Sequence, residues 1–322
     1  MAQATRRRPD LSRVGPTLDD IRRNVASVVA GKPEVIDLAL VALMAEGHLL
    51  IEDVPGVGKT LLAKALARSI DCSVSRVQFT PDLLPSDITG VTVYSPDTGE
   101  FEFKPGPVFA NIVLADEINR AGPKTQSALL ESMQERTVTI DGTTHELAAP
   151  FLVMATQNPI ELEGTYPLPE AQRDRFMLRI AIGYPTVEAE HQILEMHGGP
   201  DLLAQLAPVT DAKHVAGVIE AVRSVHISES VERYIVALVR ATRQHEDVEL
   251  GASPRASLSL LRATRALATI RARDYATPDD VKALVPHLIP HRLILRPEAQ
   301  LSGREPLDVT LDVLEGVPAP TE

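Results

Sequence analysis

Apolar residues follow two different patterns along this chain. In the first part, short continuous apolar runs alternate with segments in which apolar residues recur every three or four positions. The runs predict strands at residues 48–53, 75–79, 111–116, 150–156 and 177–182. Continuous apolar runs are typical of strands covered on both faces, as in a parallel sheet. The first part is therefore predicted to be α/β, with a parallel five-stranded sheet flanked by helices.

The second pattern is helical only. After residue 184 no further strand is predicted, and helical segments follow at residues 211–223, 228–243, 254–272 and 278–289. Proline and glycine residues interrupt the pattern near 185–205, where a domain boundary is predicted. The predicted organisation is a disordered basic arm over 1–14, an α/β core over 15–195, a smaller all-helical domain over 205–300 and a tail over 301–322.

Two segments interrupt the alternation of strands and helices in the first part. Residues 79–109 contain strand-like pieces, VTVY and FEFK, around the turn SPDTGE. Residues 136–148 alternate around Asp141-Gly142, a dipeptide that strongly favours a β-hairpin turn. The first helix is predicted to open at Thr17, where the sequence TLDD resembles a capping box.

Charge and composition exclude several classes of function. With 32 Lys and Arg against 44 Asp and Glu, the net charge is −12, which disfavours binding nucleic acid by phosphate neutralisation. Base-stacking platforms are scarce because there is no Trp and aromatic residues are 3%. No apolar run is long enough for an integral membrane segment, and the amino terminus lacks the apolar region of a signal peptide. Since the single cysteine, Cys72, permits no internal disulfide, a cytoplasmic location is predicted.

The most specific motif directly follows the first predicted strand. Residues 53–60 read DVPGVGKT, which matches a phosphate-binding loop, G-x-x-x-x-G-K-[ST], except that Asp53 replaces the first glycine. Because Asp53 ends the strand ahead of the turn, its side chain can point away from the nucleotide. Lys59 would reach the β- and γ-phosphates, and Thr60 would place its hydroxyl on Mg²⁺. The residues predicted to bind the nucleotide are Asp53, Val54, Pro55, Gly56, Val57, Gly58, Lys59, Thr60 and Leu61.

Two later strands also end in polar residues. The strand over 111–116 ends in Asp116, which Glu117 follows; Asp116 would hold Mg²⁺ and Glu117 would polarise the attacking water. Asn158 follows the next strand, in a position to hold that water or to read the γ-phosphate. The alternatives are a solvated pair of carboxylates and a turn residue before proline.

Three arginines complete the candidate site. Arg173 and Arg175 lie on a short predicted helix in PEAQRDRF, and an arginine there could stabilise charge on a transferred phosphoryl group. Arg255 lies in the first turn of a helix in the second domain, where a cation opposes the helix dipole. A phosphate reached across the gap between the domains would explain that position. For each arginine the alternative is a solvated or salt-bridged side chain.

Together these stretches resemble the AAA+ ATPases, and most closely the MoxR family. The resemblance covers roughly residues 15–300 and is carried by IEDVPGVGKTLLAKALA, QFTPDLLPSDITG, FKPGPVF, LADEINRAGPKTQSALLESMQE, ATQNP, GTYPLPEAQRDRF and GASPRAS. It implies an AAA+ core with a helical lid, ATP and Mg²⁺ as ligands, and ATP hydrolysis. An aspartate at position 53 is itself usual in MoxR proteins.

The resemblance also assigns roles to individual residues. It makes 79–109 the helix-2 insert and 136–148 the pre-sensor-1 hairpin. It implies a homo-oligomer, a hexameric ring with ATP at the subunit interfaces, and chaperone action with partners that carry a von Willebrand factor A domain. The matched roles are Walker A for Lys59 and Thr60, Walker B for Asp116 and Glu117, sensor 1 for Asn158, the arginine finger for Arg175 (with Arg173 as the alternative) and sensor 2 for Arg255.

Other functions stay open at this point. A magnesium-chelatase-type ATPase subunit would have a similar architecture, although the sequence GTYPLPEAQRDRF favours the MoxR family. A nucleotide-gated assembly scaffold would hydrolyse little or no ATP, and intact Glu117, Asn158 and Arg175 argue against it. A transcriptional activator of the related ATPase class would carry GAFTGA in the helix-2 insert, where this chain reads DITGVTVYSP.

Overall fold

The sheet predicted from the apolar runs is present. The structure, a computed structural model, describes residues 14–158, 165–196 and 202–320. Its strands are β1 Leu49–Glu52, β2 Val74–Gln78, β3 Gly90–Ser95, β4 Glu100–Pro105, β5 Ile112–Asp116, β6 Thr137–Ile140, β7 Thr143–Glu146, β8 Leu152–Gln157, β9 Leu178–Ile180, β10 Val248–Leu250 and β11 Ile294–Leu295. The main sheet has the order β2-β5-β8-β1-β9, and each neighbouring pair in it is parallel.

Helices cover both faces of this sheet and also form most of the described chain after β9. They are α1 Val14–Ala26, α2 Pro33–Met44, α3 Lys59–Ser69, α4 Pro85–Thr89, α5 Pro123–Glu135, α6 Glu170–Arg173, α7 Val187–Met196, α8 Leu202–Gln205, α9 Ala212–Arg223, α10 Glu229–Thr242, α11 Pro254–Ile270, α12 Pro278–Leu288, α13 Pro297–Leu301 and α14 Pro306–Gly316. Several begin with proline, which is suited to the first helical position because the N–H it lacks would have no partner there. None of the described helices has the length and apolar composition needed to cross a membrane.

Alternating side chains in β1 explain why two apolar layers form. Leu49 and Ile51 belong to one cluster that includes α2 and α3, whereas Leu50 belongs to a second cluster that includes α5. The first cluster continues into α9, α10, α11 and α12, so the helical part packs onto the α/β part. Helix α2 forms the shared layer, because nine of its 12 residues are buried and it packs on α11 as well as on β9.

Both predicted insertions contain antiparallel strands. Strands β3 and β4 pair from Gly90 with Pro105 to Ser95 with Glu100, and β6 pairs with β7. Asp141 and Gly142 have φ of +49° and +80°, as a two-residue hairpin turn of this kind requires. The two hairpins touch, since the rings of Phe103 and His145 stack with centroids 4.3 Å apart. They therefore present one joint surface.

Parts of the sequence prediction are wrong. Helix α1 does not open at Thr17, since the chain is already helical at Val14; Pro16 fits the first turn, whose N–H groups have no helical partner. The predicted tail over 301–322 contains α14, which buries Val309 and Val313. Pro306 occupies the start of this helix, where the N–H that proline lacks would have no helical partner. The short pair β10–β11 and helix α7 were also not predicted. Residues 1–13 of the predicted arm lie outside the described residues.

His48 is a buried titratable group at the start of β1. Its Nδ1 accepts a hydrogen bond from the Val153 N–H at 3.0 Å, so Nε2 carries the proton and donates to the Met133 carbonyl at 3.1 Å. The residue is 4% exposed, and burial lowers the pKa of His48 from 6.5 to about 4. The neutral ring thus joins β1, β8 and α5.

Acid is expected to destabilise the protein through His48. Below about pH 6.5 the unfolded chain takes up a proton at this residue, whereas the folded protein does so only near pH 4. The stabilisation is therefore complete above about pH 6.5 and is lost as the pH falls toward 4, a change of roughly 3 kcal/mol. Urea unfolding between about pH 7 and pH 4.5 measures it.

The matched variant is His48→Gln, which cannot titrate. Its free energy of unfolding should depend less steeply on pH over the same range. His291, whose pKa burial also lowers, leaves a residual slope in both proteins. Identical slopes for the wild type and His48→Gln would contradict the assignment.

Candidate functional site

Polar residues meet at one edge of the main sheet because its strands are parallel. In the strand register Glu52 lies opposite Gln157, and Gln78 lies opposite Asp116. The loop 53–60 leaves the sheet at this edge, where Asp116 ends β5, Glu117 follows it, and Asn158 follows β8. The structure thus brings together residues predicted from three separate strands.

The side chain of Asp53 points away from the loop, as the sequence suggested. Its Oδ2 accepts hydrogen bonds from the N–H groups of Ile182 at 2.7 Å and Gly183 at 2.6 Å, and Oδ1 accepts from Val54 at 2.8 Å. Asp53 is 8% exposed. It therefore ties the end of β1 to the chain leaving β9, and only its backbone faces the loop interior.

The loop between β1 and α3 has the backbone of an anion site. Gly56 and Gly58 have φ of +87° and +93°, and a Cβ at either position would meet no heavy atom within 4 Å. The backbone conformation, and not crowding, therefore requires glycine. The first N–H groups of α3 lack helical partners and favour negative charge. Lys59 Nζ donates to the Asp53 carbonyl at 2.7 Å, and burial lowers the pKa of Lys59 against the opposing effect of nearby carboxylates.

Asp116 is held from both neighbouring strands. Its Oδ1 accepts a hydrogen bond from Thr156 Oγ1 at 2.7 Å, and its Oδ2 accepts from Arg76 Nη2 at 2.6 Å and Nε at 3.1 Å. The Thr156 hydroxyl also accepts the N–H of Glu117 at 2.9 Å. A single hydroxyl on β8 thus orients both acidic residues at the end of β5.

Glu117 has a left-handed backbone, with φ +57° and ψ +51°. A residue other than glycine in this region costs about 1–3 kcal/mol, and such strain is concentrated at functional sites. Its Oε2 accepts hydrogen bonds from Gln78 Nε2 and from Arg120 Nη1, each at 2.9 Å. The side chain is 27% exposed, so water can reach it. The turn therefore presents the carboxylate at the edge where the loop lies.

The protein oxygens at this edge suit a metal cation that is also coordinated by the phosphates of a nucleotide. Among the residues that the structure describes, no group of three or more His, Cys, Asp or Glu side chains could hold a metal ion. Mg²⁺ is usually bound by one or two protein oxygens together with phosphate oxygens and water. The Thr60 hydroxyl and the Asp116 carboxylate are such oxygens. The donor set therefore fits Mg²⁺ bound with a nucleotide.

The candidate arginines Arg175 and Arg255 lie at the other end of the sheet. A cavity of about 620 Å³ opens beside Glu46, Gly47 and His48, the residues that precede β1. No residue of the loop 53–60 lines it. Strand β1 spans four residues, so about 13 Å of strand separates its two ends. The arginines that line the cavity are Arg136, Arg175, Arg223, Arg255, Arg262 and Arg265.

These arginines fall into two groups. Arg136 and Arg223 both form ion pairs with Glu46. Arg255 Nη2 reaches only the neutral side chain of Gln134, with 3.4 Å to Oε1. Within the described ranges, those without an ion pair are Arg175, Arg255, Arg262 and Arg265. Several unpaired cations facing one cavity favour an anion there.

The structure separates Arg173 from Arg175, a choice that the sequence left open. Arg173 does not line the cavity, and its Nη2 lies 3.8 Å from Glu170 Oε1. Arg175 and Arg255 line the same cavity, at the end of the sheet opposite the loop 53–60 of the same chain. The reason is the packing of the lid helices onto α2, which places the start of α11 beside the amino ends of the strands.

Sequence reasoning missed the residues that hold the acidic pair. Arg76 and Gln78 lie on β2, and Thr156 lies on β8; these strands flank β5. The register pairing Gln78 with Asp116 would have indicated them, but it requires the strand order. Arg120, three residues after Glu117, was available from the sequence as a local partner.

Known proteins resemble this chain over nearly its whole length. Residues 48–178 match the ATPase family associated with various cellular activities (AAA), and residues 240–310 match the AAA lid domain. The chain is 44% identical to the chaperone MoxR1 of Mycobacterium tuberculosis, over 94% of this chain and 82% of that protein. It is 32% identical to the protein MoxR of Methylorubrum extorquens, over 92% and 94%. The crystal structure of a candidate ATPase from Cytophaga hutchinsonii, 40% identical, superposes with a TM-score of 0.91 over 97% of each chain. This chain belongs to the MoxR family of AAA+ ATPases.

Proposed function

We propose that this protein is a Mg²⁺-dependent ATPase whose active sites are shared between copies of the chain. The observation that carries the proposal is the separation of the two halves of the site. The loop 53–60 and the acidic residues lie at one end of the sheet, whereas Arg175 and Arg255 line a cavity at the other. One copy would supply the loop and the next copy the arginines. Such head-to-tail contacts form a ring when the rotation between successive copies closes, and the family resemblance favours a hexamer.

In this site the loop binds the phosphates of ATP. Its backbone N–H groups and the start of α3 face the negative charge, and Lys59 reaches the β- and γ-phosphates. Thr60 and Asp116 would hold Mg²⁺, which neutralises charge on the phosphate oxygens when it is bound. Thr156 and Arg76 fix the orientation of the Asp116 carboxylate.

Hydrolysis needs a base, a positioned water and positively charged groups that face the transferred phosphoryl group. Glu117 accepts a proton from the water whose oxygen bonds to the γ-phosphorus as the bond to the β–γ bridging oxygen breaks. Asn158, at the same edge, holds the water or reads the γ-phosphate. Arg175 and Arg255 of the neighbouring copy stabilise the charge that develops on the phosphoryl oxygens.

We further propose that ATP hydrolysis drives the remodelling of a partner protein complex. The relative named chaperone MoxR1 supports this, and the family resemblance adds a partner with a von Willebrand factor A domain. The joined hairpins β3–β4 and β6–β7 offer a surface for such work, because Tyr94 and Phe101 form an exposed aromatic pair there. A magnesium-chelatase-like subunit would use the same ATPase site on a different partner.

Lys59→Ala is expected to weaken ATP binding at least about 30-fold, because it removes the cation that faces the phosphates inside the loop. Equilibrium titration with a fluorescent ATP analogue measures the affinity. The matched control is Lys64→Ala, since Lys64 is an exposed lysine on the same helix, α3. Unchanged affinity in Lys59→Ala would refute the assignment of the loop.

A further inference from the structure

Arg175 and Arg255 belong to different parts of the fold, yet one carboxylate connects their segments. Asp174 directly precedes Arg175 at the end of α6, and Ser253 caps α11, in which Arg255 is the second residue. Ser253 Oγ donates a hydrogen bond to Asp174 Oδ2 at 2.9 Å. Ser253 Oγ also accepts a hydrogen bond from the backbone N–H of Arg255 at 3.1 Å. Two consecutive hydrogen bonds thus run from the residue before one arginine to the backbone of the other.

Asp174 is itself anchored in the protein interior. Its Oδ1 accepts a hydrogen bond from Arg292 Nε at 2.7 Å. The Arg292 side chain is 1% exposed, and it also donates to the carbonyls of Phe176 at 2.6 Å and Met177 at 3.2 Å. Within the described ranges Asp174 is the carboxylate that pairs with this cation. Separating a buried ion pair is strongly unfavourable, so the position of Asp174 is fixed.

We propose that Asp174 is a positioning residue that sets the separation of Arg175 and Arg255 through its hydrogen bond to Ser253. The inference rests on the proposed function, in which both arginines act on the nucleotide of the neighbouring copy. Asp174 also lines the cavity, but its two carboxylate oxygens accept hydrogen bonds from Ser253 and Arg292. It joins the end of the α/β part to the start of the lid helix α11. The two arginines are thereby held at a fixed separation when they contact the phosphate. Displacing a catalytic group by about 1 Å can lower the rate about 100-fold, which makes such a link consequential.

Ser253→Ala tests the link, because Asp174 variants would leave Arg292 buried without its counter-ion and could fail to fold. Turnover should fall about tenfold through misplacement of the arginines, while ATP affinity at the loop of the same subunit stays unchanged. Ser253→Thr restores the hydroxyl and should restore turnover. The matched control is Ser228→Ala, which also removes a helix N-cap, that of α10, without any tie to Asp174.

Mixed oligomers show where the defect lies. Ser253→Ala subunits mixed with Glu117→Gln subunits should recover turnover, because some junctions combine an intact loop with intact arginines. Mixed with Arg175→Ala subunits they should not recover, since every junction then has a defective arginine face. The inference is overturned if Ser253→Ala behaves like Ser228→Ala, or if Arg175→Ala subunits restore its turnover. Failure of Glu117→Gln and Arg175→Ala subunits to complement each other would instead refute the shared site itself.

Discussion

Arg175→Ala is expected to lower ATP turnover by about 10³–10⁵-fold without weakening ATP binding, because an arginine finger stabilises charge in the transition state. Arg175 lies at the end of the sheet opposite the loop that binds the phosphates, so it makes no contribution to ATP affinity within its own subunit. Steady-state hydrolysis and equilibrium nucleotide binding measure the two effects. The matched control is Arg173→Ala, two residues earlier at the end of α6, which should retain near-normal turnover since Arg173 lies outside the cavity.

Complementation then distinguishes action between subunits from action within one. In a random equal mixture of Arg175→Ala and Glu117→Gln subunits, about a quarter of the junctions pair an intact loop with intact arginines. Turnover should therefore exceed that of either variant alone by a wide margin. Glu117→Gln is the suitable partner because it is expected to keep ATP bound and so to preserve any assembly that needs nucleotide. No recovery at any mixing ratio would contradict a finger that acts on the neighbouring subunit.

Glu117→Gln is expected to lower turnover by about 10²–10⁴-fold while ATP remains bound, because the carboxamide fills the same space but cannot accept a proton. The left-handed turn and the oxygen contacts with Gln78 and Arg120 place this side chain at the edge of the sheet where the loop lies. Single-turnover hydrolysis and analysis of the bound nucleotide separate chemistry from binding.

The control for this variant is Glu131→Gln, which removes one carboxylate from an exposed position on α5. It should leave both turnover and ATP affinity unchanged. Persistent hydrolysis in Glu117→Gln would show that another group is the base.

The fold was largely predictable because its strands are short apolar runs between helical segments. The runs before the loop and before Asp116 indicated strands, since both faces of a parallel strand are buried. The strand order was not predictable from the pattern, because pairing joins residues far apart in sequence. Helix α14 was assigned to the tail, although Val309 and Val313 lie four residues apart and bury one helical face.

The two halves of the candidate site differ in how far the sequence predicted them. Asp116 ends a strand, the loop, Glu117 and Asn158 directly follow strands, and the carboxyl ends of parallel strands lie at one edge. The position of Arg255 depends instead on how α11 packs on α2, which no local pattern specifies. Thr156 was missed for a similar reason, since its contact with Asp116 requires β8 to lie beside β5.

The most direct test of a shared active site is the ATPase rate per subunit against protein concentration, with the mass followed by light scattering in ATP and Mg²⁺. The rate per subunit should rise steeply as the mass reaches that of a multimer, because only then do Arg175 and Arg255 of one copy meet the loop of the next. A constant rate per subunit at the mass of a monomer would contradict the shared site. Binding without turnover at every mass would leave a nucleotide-gated scaffold as the better description.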